Sequence, residues 1–171
     1  MYNKIYIILP YKESLNINTA GAVSLYVTEN ITYSKYKKNI EIISSENLHK
    51  KTFFTNKNYI QDFCEINKNL KKNLFEIHNR PEYVFYIKKY FPNSKITLTF
   101  HNDPLNLRQS KYLKEREYLI DICSKIVFVS RWIQQRFFSG FKNSNYIKTS
   151  IVYCGVNIPK FKKLKKKIFY L

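Results

Sequence analysis

Thr97-Leu98-Thr99-Phe100-His101-Asn102-Asp103-Pro104, with the earlier Phe75-Glu76-Ile77-His78-Asn79-Arg80-Pro81, decides the fold. Each stretch is a short, mostly apolar run that passes directly into His-Asn, a charged residue and a proline. Runs of this kind, separated by longer helix-compatible segments, belong to parallel sheets covered on both faces. The residues that follow the strands then collect along the carboxyl edge, where open α/β sheets bind ligands. The chain has three histidines, and two of them fall in these equivalent positions.

Working outward, the same alternation runs through most of the chain. Lys4–Leu9, Asn39–Ile43, Thr52–Phe54, Asn73–Ile77, Lys95–Phe100, Lys125–Val129 and Ser150–Tyr153 read as strands, and Ala22–Tyr36, Ile60–Leu70 and Glu82–Tyr90 as helices. Pro81 suits the first turn of its helix, where the missing N–H costs nothing. Ser110 is expected to cap a helix reaching Cys123, with Lys111 and Glu115 four apart on its surface. Ser130 should cap Arg131–Phe138, and Gly140 should stop it. The expected fold class is α/β: a single Rossmann-like, doubly wound parallel sheet with helices on both faces.

The chain is 171 residues long, enough for one ordinary domain with a sizeable core. Hydrophobic content of 44% and aromatic content of 17% exclude a disordered chain, although 30 Lys+Arg against 12 Asp+Glu leave a formal charge of +18. Such an excess suits nucleic acid, an anionic membrane or an acidic substrate, but the over-used Lys, Asn, Ile, Tyr and Phe also share A/T-rich codons. No nucleic-acid module is recognisable, so that class is disfavoured. Cys64, Cys123 and Cys154 are widely spaced without a C-x-x-C pair, which argues against a disulfide framework or structural zinc and fits a reducing compartment. The opening apolar run is too short for a signal peptide, and no stretch is long enough to span a membrane. The expectation is a cytoplasmic protein, with peripheral attachment to an inner membrane as a second placement.

Three groups of residues could carry chemistry. Gly21 opens the first helix, where free N–H groups can meet an anion, although one glycine is far from the G-x-G-x-x-G fingerprint. A glycine easing a loop into a helix accounts for it equally well. His78-Asn79-Arg80 and His101-Asn102-Asp103 each bring an imidazole, an amide and a charge to one rim. Imidazole can donate or accept near neutral pH, Arg80 can grip a carboxylate or phosphate, and Asp103 can orient a hydroxyl or a histidine. No ligand spacing supports a metal. Leu119, Ile120 and Cys123, then Trp132, Ile133, Arg136 and Phe137, follow helical spacing and read as core, with Arg116 and its neighbours as a solvated face.

In this order the motifs resemble the amino-terminal domain of family 4 glycosyltransferases, retaining enzymes of the GT-B fold, and most closely bacterial members that build lipopolysaccharide or other surface glycans. The resemblance rests on the Gly21 loop, His78-Asn79-Arg80-Pro81, Leu98 to Pro104, Glu115-Arg116-Glu117-Tyr118, Ile126 to Trp132 and Val152-Tyr153-Cys154-Gly155-Val156-Asn157. It implies half of a two-domain enzyme: an acceptor-binding domain over 1–158, then a basic linker and the start of a donor domain over 159–171. It implies His101 as the catalytic histidine after the fifth strand. Gly21 would belong to the loop that contacts the acceptor and the donor phosphate, His78, Asn79 and Arg80 would line the acceptor pocket, and Asn102, Asp103 and Ser130 would border the cleft. No cofactor is implied; the partners are a nucleotide-sugar, a glycan or lipid-linked acceptor, and a separate donor-binding domain. The competing class is a non-catalytic module that binds a glycan or an anionic membrane.

Overall fold

A computed structural model of the chain describes residues 4–16, 18–45, 59–70, 73–142 and 147–155. Six parallel strands form one sheet: β1 (Ile5–Ile8), β2 (Ile40–Ile43), β3 (Leu74–His78), β4 (Lys95–Phe100), β5 (Lys125–Phe128) and β6 (Thr149–Ile151), in the order β2-β1-β3-β4-β5-β6. The helices are α1 (Ala22–Tyr33), α2 (Tyr59–Ile66), α3 (Pro81–Tyr90), α4 (Leu113–Ile122) and α5 (Arg131–Phe137). The expected doubly wound α/β sheet is what the chain forms.

The strand order explains how the helices are distributed. Crossovers between parallel strands are right-handed, so a reversal of direction across the sheet moves the helix to the opposite face. From β1 the chain steps outward to β2, placing α1 on one face; every later step runs the other way, placing α2 to α5 on the other. The core follows. Ile7 and Leu9 pack with Val23 and Val27 of α1, while Tyr6, Ile8, Phe75, Ile77, Ile96, Leu98, Phe100 and Phe128 meet the residues of α2 to α5. Alternation along a strand gives each face a defined set of side chains. Ile77 pairs with Leu98 in the larger core, so Glu76 and His78 of β3, beside Thr97 and Thr99 of β4, face the α1 side.

Several elements differ from the sequence-based expectation. Helix α1 stops at Tyr33 and is followed by a 3-10 turn, Lys37–Asn39, where Ala22–Tyr36 was expected as one helix. Ser110 is not a helix cap: its hydroxyl is buried and donates to the Pro104 carbonyl at 2.6 Å. Helix α4 begins three residues later, and its Glu115 carboxylate accepts the Tyr112 N–H at 3.0 Å. Lys111 therefore precedes the helix and forms no i, i+4 surface pair on it. Ser130 does cap α5, accepting the Ile133 N–H at 3.2 Å. Trp132 is 56% exposed, with the Arg136 guanidinium 5.7 Å from its ring, because only Ile133 and Phe137 of that helix point into the core. The expected strand Thr52–Phe54 and the segment 159–171 lie outside the described residues. Among the described strands β4 is the fourth.

Arg116 corrects the expectation of a solvated charged face. It is 3% exposed and donates to the carbonyls of Ser110, Lys111 and Ser139 at 3.1, 2.6 and 2.7 Å. Burial lowers its pKa, and the neighbouring Glu115 works against that. The guanidinium ties the loop before α4 to the turn after α5, and that loop carries the residues following β4.

Candidate functional site

The strand order reverses at β1, so the crevice beyond the carboxyl ends of β1 and β3 is the switch point where such sheets bind ligands. A pocket of about 340 Å³ lies there. Pro10 and Glu13 from the loop after β1, Ala22 and Val23 from the start of α1, Asn79 and Arg80 after β3, and His101 and Asn102 after β4 line it, with Val129 and Cys154 beyond. Of the six residues that sequence reasoning placed on one rim, Asn79, Arg80, His101 and Asn102 line it; His78, expected on the pocket wall, is fully buried behind them, and Asp103 is not among the lining residues.

Asn79 is the staple of this rim. It sits at φ +54°, a left-handed conformation that asparagine tolerates better than most residues. Its own N–H donates to the Thr99 carbonyl at 2.9 Å, and its side-chain Oδ1 accepts the N–H groups of His101 and Asn102 at 2.9 and 3.1 Å. One buried amide therefore fixes the chain leaving β3 against the chain leaving β4.

The two histidines touch. His78 Nδ1 and His101 Nε2 are 2.9 Å apart, and Glu76 Oε1 stands 3.2 Å from His78 Nε2 on the same face of β3. The Glu76 contact is electrostatic; it lacks the alignment of a hydrogen bond, which leaves His78 Nε2 without a hydrogen-bond partner among the described residues. Facing a carboxylate, His78 Nε2 is better protonated than bare. A neutral His78 must then accept from His101 through Nδ1, placing the His101 proton on Nε2 and leaving His101 Nδ1 as a lone pair. Burial, and secondarily the positive charge that a protonated His78 would carry, lower the His101 pKa to about 3. Tyr26 of α1 closes this cluster with its ring edge-on to His101 at 4.9 Å. At neutral pH His101 is an uncharged hydrogen-bonding group, too weak a base to retain a proton.

The remaining expected residues fall less directly on the pocket. The Asp103 carboxylate is held by Arg136 at 3.1 and 2.8 Å and accepts the Leu105 N–H at 3.0 Å; the Arg136 hydrogen bond is the largest cause of its lowered pKa. Ser130 spends its hydroxyl on the α5 cap. Gly21 has an ordinary extended backbone; a Cβ there would come within 2.6 Å of the Glu13 carboxylate, the end of a flexible side chain that accepts the Ser24 hydroxyl at 2.8 Å. That carboxylate lies over the start of α1, where an anion was expected.

Sequence reasoning passed over Glu13, Tyr26, Glu76 and Cys154. Glu76 was accessible to it, because residues two apart on a strand share a face, and Glu76 precedes His78 by two. Tyr26 and Cys154 gave no such signal, since only the folding of α1 and β6 brings them near. Among the described residues no group of three His, Cys, Asp or Glu side chains is arranged to hold a metal ion, and no helix is long and apolar enough to cross a membrane.

With this geometry in place, comparison with known proteins adds one similarity. The chain is 35% identical over 88 residues to the protein named "Putative glycosyltransferase YtcC" of Bacillus subtilis (strain 168). Over that stretch the chain is glycosyltransferase-like. The match takes in 52% of this chain and spans about a fifth, 21%, of the length of that relative. No family model matches the chain, and no solved structure matches it.

Proposed function

We propose that the chain is the acceptor-binding half of a retaining glycosyltransferase of the two-domain GT-B type, similar to family 4 and acting on a bacterial surface glycan or its lipid-linked precursor. The observation that carries this reading is the pocket at the switch point, where Asn79 and His101 stand together behind one basic wall residue, Arg80. The similarity to a protein named as a glycosyltransferase supports the same reading.

In this reading His101 is the catalytic residue and uses its Nδ1 lone pair to hold a hydroxyl of the reacting sugars. Its lowered pKa keeps it neutral, so it orients through a hydrogen bond and does not store a proton. Arg80 meets an acidic group of the acceptor. Asn102 borders the pocket directly, and Asp103 and Ser130 hold its walls through Arg136 and α5. Glycosyl transfer also requires positioned donors for the charge growing on the departing phosphate. Glu13 over the start of α1 is poorly suited to that task, and in this reading a second domain holds the nucleotide-sugar. The reaction takes place in the cytoplasm, with the basic surface against the inner membrane.

The test combines the chain with a separately expressed donor domain, or uses the continuous reading frame where one follows, and measures sugar-nucleotide consumption in the presence of membrane lipid extract. Consumption that requires both parts supports the reading. Binding to anionic liposomes that is released by salt, with no consumption, favours the binding-module class instead.

A further inference from the structure

A second and larger cleft, about 520 Å³, opens on the other side of Arg80. It lies between α2, α3 and the loop after the 3-10 turn Pro104–Asn106. We propose that this cleft binds an anionic saccharide, with Arg80 and Arg108 on its charged group, Glu82 on a hydroxyl, and the aromatic side chains of α3 along its sugar rings. The inference deepens the proposed function and rests on it only for taking that saccharide to be the acceptor.

The volume lies within the roughly 300–1,000 Å³ typical of small-ligand sites, and it is larger than the His101 pocket. Tyr83 and Tyr86 of α3 line the cleft, and Tyr83 is buried and packed edge-on against Tyr59 at 5.7 Å. Tyr59 in turn donates its hydroxyl to the Leu9 carbonyl. Tyr83 is thus held in place before any ligand arrives, so it needs little ordering on binding.

The polar groups show what the cleft lacks. Glu82 Oε2 is buried and has no hydrogen-bond partner among the described residues. Burial raises the Glu82 pKa, against a hydrogen bond from its own backbone and the charges of Arg80 and Arg108. A buried carboxylate oxygen is normally satisfied, and a ligand hydroxyl would satisfy this one. Two guanidinium groups against one carboxyl leave the cleft with an excess of positive charge suited to a carboxylate or phosphate. Gln109, also on the wall, holds φ +63°, a strained conformation of the kind that clusters at ligand clamps. A purely apolar ligand would leave Glu82 Oε2 buried without a partner, and a neutral sugar would leave the positive excess unanswered.

The test is a titration of the 15N-labelled chain followed by NMR at the Arg108 Nε–H and the Gln109 side-chain amide. The probes are trigalacturonate, glucose 1-phosphate, maltotriose, inorganic phosphate and oligothymidylate. The inference predicts that trigalacturonate or glucose 1-phosphate binds at least about tenfold more tightly than maltotriose, a difference set by the charge-assisted bonds. Whichever of the two binds more tightly identifies the anion as carboxylate or phosphate. Arg108 is exposed, so Arg108→Gln keeps the fold and should weaken that binding by about tenfold. Equal binding of maltotriose, an equal response to inorganic phosphate alone, tighter binding of oligothymidylate, or no shift with either anionic saccharide up to about 10 mM overturns it. These signals need no donor and no turnover. An inert cleft in a chain that still supports sugar-nucleotide consumption retires this inference alone, and a binding cleft without consumption retires only the proposed function.

Discussion

Replacing Asn79 by alanine should loosen the whole rim, and the cost can be built from its parts. The side chain accepts two backbone N–H groups, at 2.9 and 3.1 Å, and its loss leaves both to partial hydration. At a net value of about 0.5–1.5 kcal/mol per hydrogen bond, that removes roughly 1–3 kcal/mol. Alanine must also hold φ +54°, which adds about 1 kcal/mol for a residue with a Cβ and no local hydrogen bond. The expected total is about 2–4 kcal/mol for Asn79→Ala. Asn79→Gly loses the same bonds without the backbone strain, and should be about 1 kcal/mol milder. Asn79→Asp keeps an acceptor in place and should cost least. Urea unfolding of the three variants beside the parent chain, with unchanged m-values, reads these differences directly. The reasoning fails if Asn79→Ala and the parent agree within about 0.5 kcal/mol, or if glycine is worse than alanine.

Three further outcomes follow from the same geometry. His101 has a folded pKa lowered from 6.5 to about 3, so the unfolded chain takes up a proton that the folded one refuses. Its stability contribution is therefore complete above pH 6.5 and is lost as pH falls toward 3; His101→Gln should flatten the acid limb of a pH–stability profile over that window. Glu76→Gln should redistribute the His101 proton between Nε2 and Nδ1, visible in long-range 1H–15N spectra of the imidazoles, whereas a parent His101 already protonated on Nδ1 would contradict the Glu76–His78–His101 order. Arg116→Ala leaves the buried Ser110 carbonyl and the part-buried carbonyls of Lys111 and Ser139 without the guanidinium, and should cost about 2–4 kcal/mol in the same urea assay. Arg116→Lys keeps the charge but loses the fork and should recover only part of that stability.

The sheet was legible because its strands are continuous apolar runs ending in matched tags, and the parity of Phe75, Ile77, Leu98 and Phe100 alone places His78 and His101 on one face. The direct contact between the two rings was not legible, since it depends on the register that sets His78 beside Thr99. Arg116 shows where residue type misled: at spacings of three, four and seven from Leu119, Ile120 and Cys123 it lies on the apolar stripe, and a guanidinium can be buried when backbone carbonyls surround it. Ser110 misled for a related reason, because a serine before a helical pattern serves as well to bind a nearby carbonyl as to cap. The acidic side chain over Gly21 comes from the loop after β1, and no local pattern announces it.

The central claim is that His101 stands at the reacting sugars of a glycosyl transfer. Its most direct test is sugar-nucleotide consumption by the chain combined with a separately expressed donor domain, comparing the parent with His101→Ala and using the urea midpoint to confirm that both are folded. The account predicts a loss of at least about a hundredfold, on the order of 2.7 kcal/mol of transition-state stabilisation, with the folded fraction unchanged. Undiminished consumption by a folded His101→Ala variant would contradict it.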